Sequence, residues 1–260
     1  MHDREARRSL MLGLAGAAAL GWTGRPARAQ PALQIVTEEA PPYNFSDGKD
    51  GRPTGMCTEL VQEVLGLLQQ TAEISVLPWA RAYEMARQGE NVLIYSIART
   101  AQRESLFKWV GVLTQVEYGL YALASRGLRL GSLSEAMRWQ IATVNADVGE
   151  QYLEANGFAK GRQLQSSARN QFNFEKLKMG RVDLWITTDL IAQQLASQAG
   201  DDGARLLAKA LTLPELQVDY YMAFGPATAD AQVERFRKAL ETLKKNGRHA
   251  AIRRKWFGST

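Results

Sequence analysis

The sequence is nearly empty of the two side chains that carry most metal and nucleophile chemistry. Cys57 is its only cysteine, and His2 and His249 are its only histidines. One cysteine cannot close an internal disulfide, so the fold must stand on its apolar core. The His and Cys clusters of the usual zinc sites are missing, and a Ser-His-Asp triad is hard to assemble from so few histidines. Cys57 reads as a small buried hydrophobe, since a catalytic thiol would want a base beside it. No metal and no cofactor is expected. An excess of one charge sign is missing too, with 32 Lys and Arg against 27 Asp and Glu. Residues 1–29 hold five arginines against Asp3 and Glu5, a net +3 of the chain's +5, so about +2 belongs to the rest. That argues against a nucleic-acid partner, which calls for a clustered basic face.

The apolar run Leu10 to Trp22 stops at 13 residues, short of the roughly 20 that span a bilayer. With Arg7 and Arg8 before it and Ala27-Arg28-Ala29 after it, the run reads as an export signal over residues 1–29. Arg7-Arg8-Ser9-Leu10-Met11 resembles a twin-arginine signal, and general secretion stays open beside it. The expected location is the periplasm.

Beyond residue 30 the pattern alternates between the strand and helix periods. Leu33 to Thr37 reads as a strand, residues 56–69 as a helix with Leu60, Val64, Leu67 and Leu68 on one face, Ile74 to Leu77 as a strand, Ala80 to Gln88 as a helix and Val92 to Ile97 as a strand. A second unit follows: strands at Gln140 to Val144 and Val182 to Thr187, helices at Gly149 to Asn156, Phe174 to Lys178 and Leu190 to Gln198. Asp230 to Asn246 places Val233, Phe236, Leu240 and Leu243 on one helical face, and a basic aromatic tail closes the chain. The fold class is therefore α/β. Extended runs at 117–124 and 217–224 suggest a chain that crosses twice between two lobes, lobe 1 being 31–118 plus 222–260 and lobe 2 being 123–216. Hinged lobes can close on a ligand, and ligands of open α/β sheets sit beyond the carboxyl ends of the strands. That puts residues 38–45, 79–83, 96–103, 146–149 and 187–189 on one cleft.

Four local patterns, in order along the chain, carry a resemblance. They are Ala40-Pro41-Pro42-Tyr43-Asn44-Phe45, Gly55-Met56-Cys57-Thr58-Glu59-Leu60, the run from Ser96 through Thr100 to Arg103-Glu104, and Gly180-Arg181-Val182-Asp183. Together the chain resembles the family 3 extracellular solute-binding proteins, the polar amino acid binders of bacterial ABC importers. The resemblance implies a type II periplasmic-binding-protein fold, two-lobed with two hinge crossovers, a monomer, a membrane permease as transient partner, and no catalysis.

It also implies a site. Arg103 would grip a carboxylate with a planar fork, with Ser96 and the backbone N–H groups of Ala98 and Thr100 sharing its oxygens. Trp79 and Tyr43 would wall the apolar part of the ligand, with Tyr95 and Arg81 as further candidates. Arg99 has no such support. Thr188 or Asp189 would hold an ammonium group. Three positions depart from the family pattern: Ala40 stands where a stacking aromatic is common, Ala98 replaces a hydroxyl residue, and Asn145-Ala146-Asp147-Val148-Gly149 replaces a Gly-Thr or Gly-Ser pair. Asp147 can cap the following helix and would repel an anion there. Glu38 and Glu39 add acid near the cleft, so the ligand is expected to be more cationic, or less like a plain amino acid, than the resemblance implies. A sensor acting on a membrane receptor, and a dehydratase-like enzyme on the same scaffold, are the alternatives.

Overall fold

The structure, a computed structural model, describes residues 31–258; the expected export signal at 1–29 lies outside the described residues. The chain runs β1 (Gln34–Thr37), a small hairpin of β2 (Phe45–Ser46) and β3 (Pro53–Thr54), α1 (Met56–Leu67), β4 (Ile74–Val76), α2 (Trp79–Gln88), β5 (Val92–Ala98) and the long β6 (Lys108–Leu123). It continues through β7 (Ile141–Val144), α3 (Val148–Ala155), β8 (Leu164–Ser167), α4 (Asn170–Lys178), β9 (Leu184–Thr188), α5 (Asp189–Gln198) and the single-turn α6 (Gly203–Leu206). The long β10 (Leu207–Phe224), α7 (Asp230–Lys245) and α8 (Arg248–Phe257) complete it.

Eight strands form one sheet in the order β4-β1-β5-β10-β6-β9-β7-β8. β1 lies parallel to both β4 and β5, and β7 lies parallel to both β8 and β9. Between these groups β6 and β10 pair antiparallel along most of their length. β5 joins only the carboxyl end of β10, at 220–224, whereas β9 joins β6 at 118–121. The ribbon thus carries two α/β groups, one toward each end. We refer to β1, β4, β5 with α1, α2, α7 and α8 as the first half, and to β7, β8, β9 with α3, α4 and α5 as the second.

The face read for α7 is buried; on α1 Leu60 and Val64 are buried as read, but Leu67 is exposed and Val61 and Leu65 are buried in its stead, because the face that packs is turned toward those positions. On α7, Val233, Phe236, Leu240 and Leu243 are buried, and Phe236 meets Phe224 edge-on with centroids 5.1 Å apart. Each such side chain contributes roughly 1.5–3 kcal/mol when fully buried. Three strands depart from the sequence pattern: β6, which begins at Lys108 and not at 117, β8 and β10. β8 reads Leu-Gln-Ser-Ser, too polar and short to be taken for a strand, and it forms because its register with β7, Ile141 opposite Leu164 through Val144 opposite Ser167, completes a ladder. β10 starts ten residues before the expected 217, because Leu213-Pro214-Glu215-Leu216 interrupts the pattern. The register slips there between Thr212 and Gln217, as it must where a proline cannot donate to the ladder. The closing basic aromatic tail is the helix α8, whose Ile252 is buried.

Candidate functional site

The site is built where parallel strands of both halves end. Glu38 follows β1, Trp79 opens α2 directly after β4, and Ser96 and Ala98 close β5, with Arg103 just beyond. From the second half, Ala146 and Asp147 follow β7. The ribbon adds Tyr118 and Tyr220. Glu38, Trp79, Ser96, Ala98, Arg103, Tyr118, Asp147, Val148 and Tyr220 enclose one cavity. Its volume is about 10 Å³, too little for any organic solute. A groove of about 370 Å³ adjoins it, lined by Thr100, Val148, Gln151, Tyr152, Leu216 and Val218 among others. That volume lies in the usual range for ligand pockets, about 300–1,000 Å³.

Two backbone distortions shape the cavity. Ser96 has φ +61° and is skipped in the pairing of β5 with β10, where Ile97 faces Tyr221 and Tyr95 faces Met222. A bulge of this kind re-aims a side chain, and here it brings Ser96 to the cavity wall. Ala146 has φ +60°. A non-glycine residue held there costs about 1–3 kcal/mol and persists only where its surroundings insist on it. The surroundings are visible: the Ala146 carbonyl accepts from Trp79 Nε1 at 2.9 Å and from Arg103 Nη2 at 3.3 Å.

Arg103 is 1% exposed. Its guanidinium lies over the rings of Trp79 and Tyr83, 5.3 and 5.2 Å from their centroids. Nη1 donates to Ala98 O at 3.3 Å, and Nη2 donates also to Gln151 Oε1 at 2.9 Å. Nε is buried without a partner among the described residues, as are Ser96 Oγ and Thr100 Oγ1. On the facing wall Asp147 is 8% exposed and caps α3, accepting from Glu150 N at 2.9 Å. Glu150, wholly buried, accepts from Thr143 Oγ1 at 2.5 Å, Ala146 N at 2.8 Å and Ser166 Oγ, and pairs with Lys160 at 2.7 Å. Burial alone would raise the Glu150 carboxyl, but these donors outweigh it and hold it below its ordinary value.

The two acids at the cavity, Glu38 and Asp147, both titrate above their ordinary values. Burial, with the Asp147 carboxylate adding to it, raises Glu38 to about 8 in spite of Arg103. Burial likewise raises Asp147 to about 6 against the pull of the Glu150 N–H and Arg103. Tyr118 and Tyr220 share a hydroxyl–hydroxyl hydrogen bond of 2.7 Å beside them.

Of the expected site residues, the structure brings Trp79, Ser96, Ala98, Arg103 and Asp147 to the cavity, and Thr100 to the adjoining groove. The others lie elsewhere. Glu39 turns toward Ser46, accepting from its N at 3.1 Å and Oγ at 2.6 Å. Tyr95 is core, its hydroxyl 2.9 Å from Thr58 Oγ1. Tyr43 is buried edge-on between Tyr220 and Phe257. Thr188 caps α5 through Ile191 N at 3.3 Å. Asp189 accepts from the Tyr121 hydroxyl and from Lys209 Nζ at 2.8 Å, which turns it to the ribbon. Arg81 is exposed, and Arg99 is paired with Glu104 at 2.5 Å. The sequence reading did not find Tyr118, Tyr220 or Gln151. The tyrosines sit on runs already read as hinge strands, where alternation could have turned them inward; nothing marked Gln151. Among the described residues no group of three His, Cys, Asp or Glu could hold a metal ion, and no helix is long and apolar enough to cross a membrane.

Two α/β groups on a shared antiparallel ribbon, with a small cavity where their strands end, define the class of two-lobed periplasmic-binding-protein folds. The chain belongs to the bacterial extracellular solute-binding proteins, family 3, whose family model matches residues 33–259. Solved structures agree in fold. A histidine kinase sensor domain with similarity to periplasmic binding proteins matches at TM-score 0.77 and 20% identity, over 89% of this chain and 98% of its own. An ancestral arginine-binding protein bound to arginine matches at TM-score 0.76 and 20% identity, over 87% and 98%. The arginine-, lysine-, histidine-binding protein ArtJ from Geobacillus stearothermophilus matches at TM-score 0.76 and 18% identity, over 88% and 96%. A search of curated proteins by sequence found no match.

Proposed function

We propose that this chain binds a small polar solute of the amino acid or amine class between its halves and delivers it to the permease of an ABC importer. One observation carries the reading. A 1%-exposed arginine, an acid from each half and three aromatic side chains converge on a single cavity at the strand ends. Such a concentration of polar groups is costly to bury unless something pairs with it, and family membership supports a solute as that partner. The halves move as two bodies, 31–118 with 222–260 and 123–216, hinged at 117–124 and 217–224. The protein works as a monomer in the periplasm, exported by its first 29 residues, and releases its ligand unchanged.

A thermal-shift panel of amino acids, amines and organic acids tests this. A solute at 100 times its Kd stabilises the folded state by about 2.7 kcal/mol, and Arg103→Ala is expected to abolish the response to solutes that carry a carboxylate. A panel without any response would refute solute binding. The likeness to a kinase sensor domain favours a second reading, in which the closed form signals to a membrane receptor. Loss of solute uptake on deleting the chain supports delivery, and unchanged uptake with a lost transcriptional response supports sensing.

A further inference from the structure

The proposed solute cleft has walls of unequal chemistry, and the inequality defines the solute's charge. Opposite Arg103 the second half presents acceptors: the Ala146 carbonyl, Gln151 Oε1 and the Asp147 carboxylate. The start of α3, where helix N–H groups could receive an anion, is taken from within. Asp147 accepts from Glu150 N, and Glu150 accepts from Ala146 N. Arg103 itself keeps no edge with two open N–H groups. Nη2 donates twice, to Ala146 and Gln151, so the edges it shares with Nε and with Nη1 each lack a second donor. A carboxylate wedged against Arg103 would break these bonds and face Asp147.

Glu38 stands differently. Its carboxylate makes no hydrogen bond among those of the described residues, yet it lines the same cavity as Asp147, from the other half. Arg103 is the one cation at the cavity wall; Glu38, raised to about 8, holds its proton at neutral pH, and an entering cation would displace that proton and leave two carboxylates for it and Arg103 to balance. The groups that face the pair are Arg103, Tyr118 and Tyr220 at the cavity and Glu39 and Glu150 behind it. Trp79, Tyr118 and Tyr220 supply aromatic surface that suits an alkylammonium or guanidinium group. Ser96 Oγ, on a 96%-buried side chain at the cavity wall, is a further acceptor without a partner.

We propose that the cleft selects a small organic cation that lacks a carboxylate, held between Glu38 of the first half and Asp147 of the second. The proposal rests on the reading of the cleft as a solute site. Burial raises both acids, and the Asp147 carboxylate raises Glu38 further; a cation between them relieves these effects, so the cation itself draws the halves together.

The test is calorimetric titration of the full chain with matched pairs: arginine against agmatine, and lysine against 1,5-diaminopentane. Each amine is expected to bind at least tenfold tighter than its amino acid. Glu38→Gln and Asp147→Asn are each expected to weaken the amine at least tenfold. Asparagine caps a helix as well as aspartate, so an unchanged unliganded melting temperature separates the loss of charge from a loss of fold. Amino acids binding as tightly as their amines, or amine binding that survives both substitutions, overturns the proposal and leaves solute binding standing. Failure of amines, amino acids and organic acids alike overturns both.

Discussion

The two walls of the cleft differ in what they offer each other. The first half supplies donors and flat rings: the Arg103 guanidinium, Trp79 Nε1, and the faces of Trp79 and Tyr83. The second supplies acceptors: the left-handed Ala146 carbonyl, Gln151 and Asp147. The bonds between them are mutually satisfying, so the halves can meet without a solute. Only Glu38 breaks the division, as an acid on the donor side. That difference separates the groups that bond the halves to each other from the one acid that no hydrogen bond holds. Arg103 and Trp79 tie the halves, whereas Glu38 is left for something else to satisfy.

The comparison breaks first at Trp79. Trp79→Ala removes a 2%-exposed ring, its stacking on Arg103 and its bond to Ala146. The expected cost is about 3–5 kcal/mol, read by chemical denaturation, with a more expanded solute-free form by small-angle X-ray scattering. A loss below 1 kcal/mol would mean that this wall is not packed as described. A middle effect comes from pH. Glu38 holds its proton up to about 8 in the fold, against an ordinary 4.5. The folded state therefore binds more protons than the unfolded chain across that window. Stability is highest below about 4.5 as far as this group is concerned, and falls as pH rises toward 8. Asp147 adds the same sign up to about 6. The unliganded melting temperature is expected to drop from pH 5 to pH 8 and to flatten in Glu38→Gln; a rise over that window contradicts the placement of Glu38. The smallest effect belongs to Arg99. Its side chain is 38% exposed and paired with Glu104, so Arg99→Ala is expected to cost under about 1 kcal/mol and to leave solute response intact. A lost response would move the site outward to the groove.

Arg99 and Arg103 show how far the sequence reaches. They stand four residues apart in one motif, and only the resemblance separated them: one became a surface ion pair, the other the most enclosed cation at the cavity. Ser96 was chosen from the same motif, but the bulge that turns it inward depends on β10, more than a hundred residues away. Asp189 was drawn to the site by its spacing from Gly180-Arg181-Val182-Asp183, and lies against Lys209 and Tyr121 because the ribbon reaches it first.

What the chain determined by itself was periodic: the alternation of strands and helices, the buried face of α7, and the Asp147 cap, all of which depend on neighbours within a few residues. The shortage of cysteine and histidine likewise fixed which chemistries had no donors. Only the tertiary structure decided that β6 and β10 form one ribbon across both halves, that β8 is a strand, and that Glu38 and Asp147 share a cavity. Those outcomes depend on pairing partners and on burial created by distant segments. Charge next to charge has no local pattern in sequence; it exists only once the fold has brought the walls together.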